Sequence, residues 1–500
     1  MTAAGQLRAL VGLRWRMVRS ARARGGLLAL LGCLLLAIAG AAVASRLVPA
    51  HLHSNALLLT PTVFAGFAVL AVVAPLAAGG GNELFPADQL VAYPVRPATT
   101  FLASLAVAPL NLAWLSQVLV LTGLTAAATK SPAAIPLALA TTYAYVAMVT
   151  VLGQAVAWAV IGIRQARSGR WLVWSVATAL ALAAILVVRL GYTTRVLDRL
   201  PTTAAVVTVL QVGNHLYLSW TRGFVELLAT TALLLVAGAR VCGWAVRRPG
   251  TGERRADRPV RRRKPAAGAF RALLATDRAS VWRSASLRRG ALVLMLIPAT
   301  AAVGLGVSWQ SLVLLPGLVA AGTGLLFGVN AFCLDASGAE WLASLPYRPA
   351  WAAMSKAWVL AETCLLSCAA IVVAGALRAK VAPTMAQVTA LGVATVCCTM
   401  WVVSTCMKLS VRSPHRADLR GSRDTPAPPG SMAVYSARLA VSSTLIGILL
   451  SAAASTATWQ LPLLVGLPLV LLSVRSLVQS VTEYGVPAIR FRVVQTVARG

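Results

Sequence analysis

The chain has 500 residues, of which 58% are hydrophobic and 12% are charged, and it carries a net charge of +32. So few charged side chains cannot cover the surface of a water-soluble protein of this length, which excludes that class. A nucleic-acid partner is also excluded, because the basic residues lie in short segments between apolar runs, as the positive-inside rule describes. Many of these runs reach the ~18 residues that can cross a hydrocarbon layer.

In chain order, the apolar runs predict an all-α polytopic membrane protein of about twelve spans. The first half, residues 1–250, has spans at 26–44, 57–79, 101–127, 133–163, 171–190 and 224–246. A basic linker, 251–268, leads to the second half, residues 269–500, with spans at 291–307, 312–333, 352–377, 385–409, 439–457 and 461–478. The apolar piece 202–212 is too short to cross and suits a re-entrant or interfacial segment.

The distribution of Lys and Arg predicts the orientation of the chain. If the N-terminus is cytoplasmic, every even-numbered span returns to the cytoplasm, and the inner segments then hold most of the 45 Lys and Arg. We therefore predict a multi-pass protein of a bacterial inner (cytoplasmic) membrane with both termini in the cytoplasm. The Arg-rich stretches that begin near Leu7 and Phe270, ahead of the first span of each half, predict basic amphipathic helices in the lipid interface.

The segment after the second span of each half is repeated. Residues 88–98 and 340–350 align at an offset of 252 positions. The shared positions are Asp88, Leu90, Pro94 and Arg96 in the first copy and Glu340, Leu342, Pro346 and Arg348 in the second. We call residues 88–97 and 340–349 the first and second hinge segments. Six spans per half is an even number, so the two halves form a parallel repeat of like orientation.

The hinge segments resemble the loop between the second and third spans of ABC-2 type transporter permeases. In that family the loop reads Glu-x-Leu-x-x-Leu-Pro-x-x-Arg, and a Lys enters the next span. Lys356 takes the Lys position in the second copy, where Arg348 comes one position early; the first copy departs at Tyr93 and Ser104. The resemblance implies a fused two-copy exporter permease, whose hinge segments are coupling helices that dock onto a separate cytoplasmic ABC ATPase dimer.

The sequence shows no phosphate-binding loop of the form G-x-x-x-x-G-K-[ST], no zinc-protease motif and no nucleophile elbow. We therefore expect a transport protein that is not itself an enzyme, without a cofactor or a metal site. The eight cysteines are expected to be small packing residues. Nothing in the sequence identifies the exported substrate.

Two charged residues, Lys356 and Glu362, lie in one apolar run. A charge in such a run costs ~2.5–3.5 kcal/mol, so each must face a cavity or a partner. They could line a translocation pathway, or they could be structural pairs with each other or with a neighbouring helix. The hinge segments could likewise be ordinary interfacial turns whose arginines meet lipid phosphate.

Two other functions fit parts of the sequence. An ion-gradient-driven secondary transporter also fits two parallel six-span halves, but it needs carboxylates near the midplane, where Glu362 is the clear candidate. A membrane-embedded lipid-linked transferase needs acids clustered at one membrane face, whereas the 13 acids of this chain are scattered.

Overall fold

The structure is a computed structural model. It describes residues 50–78, 95–106, 112–129, 131–164, 169–192, 199, 201–248, 268–305, 308–378, 381–417, 426–456 and 458–498, with residue 108 and isolated positions between 5 and 43. All of these residues belong to helices or to the turns and loops between them. The chain divides into two compact units, unit 1 (Met1–Pro259) and unit 2 (Val260–Gly500).

From residue 50 on, the described part of unit 1 forms seven α-helices. They are α1 (Ala50–Ala78), α2 (Pro97–Ala106), α3 (Leu112–Ala128), α4 (Ile135–Arg164), α5 (Gly169–Arg189), α6 (Pro201–Gly213) and α7 (Tyr217–Val246). Helix α2 begins at a proline, which suits the first turn of a helix because proline has no N–H to leave unpaired there.

Helix α4 is central in unit 1, and α1, α3, α6 and α7 pack against it. Phe64 of α1 and Tyr145 of α4 stack with ring centroids 4.9 Å apart, and the Tyr145 hydroxyl donates to the Phe64 carbonyl at 2.7 Å. The hydroxyls of Thr125 in α3 and Thr142 in α4 are hydrogen bonded at 2.9 Å. Neutral hydrogen bonds of this kind hold helices together in an apolar medium, where hydrophobic burial contributes little.

The described part of unit 2 forms ten α-helices. They are α8 (Ala269–Arg283), α9 (Ala285–Leu305), α10 (Trp309–Leu312), α11 (Leu315–Leu326), α12 (Ala339–Ser344), α13 (Pro349–Arg378), α14 (Met385–Arg412), α15 (Pro429–Ala454), α16 (Gln460–Gly485) and α17 (Pro487–Ala498). Two 3₁₀ turns, Gly328–Leu334 and Ala336–Gly338, join α11 to α12.

Helix α14 is central in unit 2, and α11, α13, α15 and α16 pack against it. It begins with a capping box, in which Thr384 and Gln387 satisfy each other's backbone N–H groups. Small residues allow close packing along α14: the Cys397 thiol lies 3.4 Å from the Gly466 carbonyl of α16, to which it donates. The seven cysteines that the structure describes are all buried.

Seven helical stretches of the described residues are long and apolar enough to cross a membrane, and one of them, Trp309–Ser344, runs through α10, α11, both 3₁₀ turns and α12. The seven stretches are Pro132–Arg164, Tyr217–Val246, Trp309–Ser344, Pro349–Leu377, Met385–Arg412, Val434–Ala454 and Gln460–Gly485. Each overlaps a predicted span, and together they make the chain an all-helical polytopic membrane protein. The predicted span at 101–127 includes the end of α2 and most of α3, and only residue 108 is described between these two helices. Helix α6, at the predicted re-entrant or interfacial piece, packs against α1, α4 and α7.

Candidate functional site

The second hinge segment is a short exposed elbow between two long apolar helices. It comprises α12 and an extended turn that ends where Pro349 starts α13. Leu345 is extended, the conformation that the following Pro346 favours. Glu340, Pro346 and Arg348 are exposed, whereas Leu342 is half-buried. The charged groups of the elbow are therefore available to a partner.

A buried ion cluster lies at the base of this elbow. The Lys356 ammonium of α13 lies 2.8 Å from an oxygen of Asp277 in α8 and 2.8 Å from an oxygen of Asp335, just ahead of α12. The Lys356 side chain is 1% exposed and that of Asp335 is 11% exposed. The Ser355 hydroxyl donates to the second Asp277 oxygen at 2.6 Å. We call Asp277, Asp335 and Lys356 the ion cluster.

A second ion pair joins the same two helices beside the cluster. Arg278 of α8 donates to Glu362 of α13 at 2.8 Å, and both side chains are partly exposed. Consecutive residues of α8, Asp277 and Arg278, thus bind a cation and an anion of α13. Lys356 and Glu362 are each paired with a residue of α8 rather than with each other. Of the partners that the sequence left open, the structure therefore shows a neighbouring helix.

Aromatic side chains surround the cluster. Phe332 stacks on Tyr484 of α16 with centroids 4.4 Å apart, and the Lys356 nitrogen lies 5.8 Å from the Phe332 centroid. Tyr347 of the hinge segment is half-buried, and this burial, with the nearby Asp335 carboxylate, raises the pKa of its phenol. The cluster is therefore a buried site that is lined by α8, α13, α16 and the hinge segment.

The electrostatics of the ion cluster make it a rigid joint. Removing charges from water costs several kcal/mol per ion, and only close pairing offsets this. Two carboxylates share one ammonium here. If Lys356 moves away from Asp277 or Asp335, that carboxylate stays buried without a cation. The cluster joins α8, the turn ahead of α12 and α13 to one another.

The chain ahead of the hinge segment is held by hydrogen bonds to distant backbone. Asn330 has non-helical backbone angles (φ −146°, ψ 60°) that break the helix. Its amide nitrogen donates to the carbonyls of His415 and Pro426, both at 2.7 Å. The Ser410 hydroxyl donates to the Gly328 carbonyl and accepts from the Ala331 N–H, both at 2.9 Å. Backbone groups on both sides of Asn330 are thus hydrogen bonded, and the chain continues from here into the second hinge segment.

The first hinge segment lies mostly outside the described residues. Asp88, Leu90 and Pro94 are not described, and Arg96 is exposed directly before α2. Ser104, at the position that corresponds to Lys356, is buried and donates to the Phe101 carbonyl of its own helix at 2.7 Å. The structure therefore shows no cation at this position of unit 1.

Sequence reasoning missed Asp277 and Asp335. Both are acids in a chain that has only 13 of them. Asp277 lies in an otherwise basic amphipathic helix, and Asp335 directly follows an apolar run. An acid in either place needs a buried cation as its partner, and this signal could have pointed to Lys356.

No group of His, Cys, Asp and Glu in the described part of the chain is arranged to hold a metal ion. The chain was compared with protein-family models, with curated proteins and with solved structures, and none of them matches it.

Proposed function

We propose that the chain is the membrane-spanning permease subunit of an ABC exporter of the ABC-2 type, driven by a separate cytoplasmic ATPase. The observation that carries this proposal is the second hinge segment. Its exposed charges, Glu340 and Arg348, stand on a base that the buried ion cluster locks to α8 and α13. An element that receives force from a soluble partner needs both an accessible surface and a rigid connection to the membrane helices.

The ion cluster would transmit the movement. When the partner displaces the hinge segment, α13 and α8 move with it, because parting Lys356 from Asp277 or Asp335 costs ~3–5 kcal/mol, as for other buried ion pairs that lose one partner. The Arg278–Glu362 pair adds a second connection between α8 and α13. A flexible interfacial turn would dissipate the same displacement within the loop.

The wider architecture belongs to the same proposal. Twelve spans form two six-span halves of like orientation in a bacterial inner membrane, with both termini and both hinge segments in the cytoplasm. Similar packing within each unit supports the repeat. In unit 1 the central helix α4 contacts α7, the last long helix, and in unit 2 the central helix α14 contacts α16, the corresponding helix. Helices on either side of the hinge segment also contact the central helix in each unit. No nucleic acid takes part.

Reversing the charges of the second hinge segment tests the proposal. The variant Glu340→Arg with Arg348→Glu should lose the ABC ATPase that co-purifies with the wild-type protein and the ATP hydrolysis of that complex. The matched control is Arg222→Glu with Glu226→Arg, which reverses an exposed ion pair at the start of α7. The proposal fails if no ATPase accompanies the wild-type chain, or if both charge reversals leave its binding unchanged.

One observation favours the ion-gradient-driven alternative. The ion cluster holds two carboxylates and one ammonium, and an excess buried carboxylate can bind and release a proton. Proteoliposomes without any ATPase, loaded with a pH-sensitive dye, distinguish the two functions. Proton uptake that is driven by a membrane potential and abolished by Asp335→Asn would support a secondary transporter; no uptake in either protein favours the ABC permease.

A further inference from the structure

The last helix, α17, packs beside the second hinge segment. It contacts α12 and both 3₁₀ turns, and it buries Val493 and Val497. Its Arg490 lies close enough to Tyr347 of the hinge segment to act on that phenol electrostatically. Helix α17 is therefore packed against the elbow.

Large aromatic side chains of both elements are exposed. Trp341 of α12 is 67% exposed and Phe491 of α17 is 64% exposed. Exposed aromatics within a patch of charged groups are typical of the energetically dominant residues of protein interfaces. Glu340, which precedes Trp341 in the chain, and Arg348 are exposed charged residues of the same hinge segment.

We infer that the ATPase-docking surface of the second half extends from the hinge segment onto α17, with Trp341 and Phe491 as its apolar anchors. This inference rests on the proposed function and adds to it the C-terminal helix, which the ABC-2 resemblance of the hinge segments does not include.

The charges favour a protein as the occupant over the lipid surface. An anionic membrane attracts basic groups and repels acidic ones, whereas the exposed charged residues of the two elements, Glu340, Arg348 and Arg492, are of both signs. The basic groups of α17 are partly engaged within unit 2, since Arg492 donates to the Val411 carbonyl at 3.4 Å. A folded partner with acidic and basic groups around an apolar pocket complements both signs.

Photocrosslinking in native membranes tests the inference. A photoreactive phenylalanine analogue replaces Trp341, Phe491 or, as the control, Leu471, an exposed apolar residue of the membrane-spanning α16. The substitution keeps a large apolar side chain at each exposed position. We expect positions 341 and 491 to crosslink the same ATP-binding subunit, identified by peptide mass spectrometry, and position 471 not to do so.

Each other outcome is decisive. If position 341 captures the ATPase while 491 captures lipid or nothing, the inference is overturned and the proposed function stands. If neither position captures an ATPase, both are overturned. As a second measurement, Phe491→Ala should lower the co-purified ATPase about fivefold or more, as truncation of an interface anchor does, whereas Leu471→Ala should leave it unchanged.

Discussion

At the scale of single residues, Lys356 determines whether the hinge base is stable. Replacing it by Met leaves Asp277 and Asp335 buried beside each other without a cation. We expect Lys356→Met to destabilise unit 2 by ~3–5 kcal/mol. This corresponds to a fall in Tm on the order of 10 °C for a unit of about 240 residues, measured by thermal unfolding in detergent.

Two further variants control this experiment. Arg438→Met removes an exposed cation of α15 and should leave Tm nearly unchanged. Adding Asp277→Asn and Asp335→Asn to Lys356→Met removes all three charges, so Tm should recover in part. Equal, small effects of Lys356→Met and Arg438→Met would contradict the assignment of a tightly paired buried cluster.

His415 makes the segment between α14 and α15 sensitive to acid. Its ring lies 3.0 Å from the Tyr435 hydroxyl, and partial burial lowers its pKa below the usual 6.5. The folded state therefore favours the neutral ring: this stability is complete above about pH 6.5 and is lost as the pH falls through the lower folded pKa. We expect Tm to fall between pH 6.5 and 5, and to fall less in His415→Gln. Parallel Tm profiles for the two proteins would contradict this role.

At the scale of helices, two glycines allow backbone contact within the units. A Cβ at Gly153 of α4 would stand 2.7 Å from the Ala71 carbonyl oxygen of α1. A Cβ at Gly317 of α11 would stand 2.6 Å from the Ser443 carbonyl oxygen of α15. Both obstacles are backbone atoms, which cannot rotate away. Gly153→Ala and Gly317→Ala should therefore force the helices apart and cost ~1–3 kcal/mol, seen as a lower Tm.

Open helical glycines provide the matched controls. Gly123 of α3 and Gly392 of α14 have no heavy atom within 4 Å of the added methyl. Alanine at these positions should be neutral or stabilising by up to ~1 kcal/mol, because alanine loses less backbone freedom on folding. Destabilisation by all four substitutions to the same degree would show that close helix contact is not the cause.

The helices could be predicted from the sequence where apolar length alone decides them. Seven of the predicted spans overlap long apolar helical stretches, because the hydrocarbon thickness sets a minimum length that all of them exceed. The helix break at Asn330 could not be predicted, because the groups that stabilise it are distant in the sequence. They are the Ser410 hydroxyl and the carbonyls of His415 and Pro426, some 80 to 96 positions away. The two partners of Lys356, Asp277 and Asp335, lie 79 and 21 positions before it, and only the unusual placement of these acids in the sequence could have pointed to them.

At the scale of the whole molecule, the two units use different interactions at corresponding places. Unit 2 places Lys356 at the base of its hinge segment, while unit 1 has Ser104, which bonds within its own helix. The hydroxyls of unit 1, such as the Thr125–Thr142 pair, join helices without charge. In the part of the chain that the structure describes, the connection at this position is therefore charged in unit 2 and neutral in unit 1.

The prediction that both hinge segments lie on the same side of the membrane can be tested directly. Six predicted spans separate Arg96 from Arg348, so the two exposed side chains should lie on one side of the membrane. Arg222, before the last span of the first half, should lie on the other side. We expect Arg96→Cys and Arg348→Cys to resist a membrane-impermeant maleimide in intact cells and to react in inverted vesicles, with Arg222→Cys showing the reverse.

The chain is suited to this labelling, because the seven cysteines that the structure describes are buried and react slowly; the protein without an added cysteine gives the background. Labelling of 96 and 348 on opposite sides would mean an odd number of crossings between them, and the halves would then be inverted rather than parallel. Labelling of both from outside the cell would place the hinge segments beyond the reach of any cytoplasmic ATPase. The permease function therefore depends on both positions being cytoplasmic.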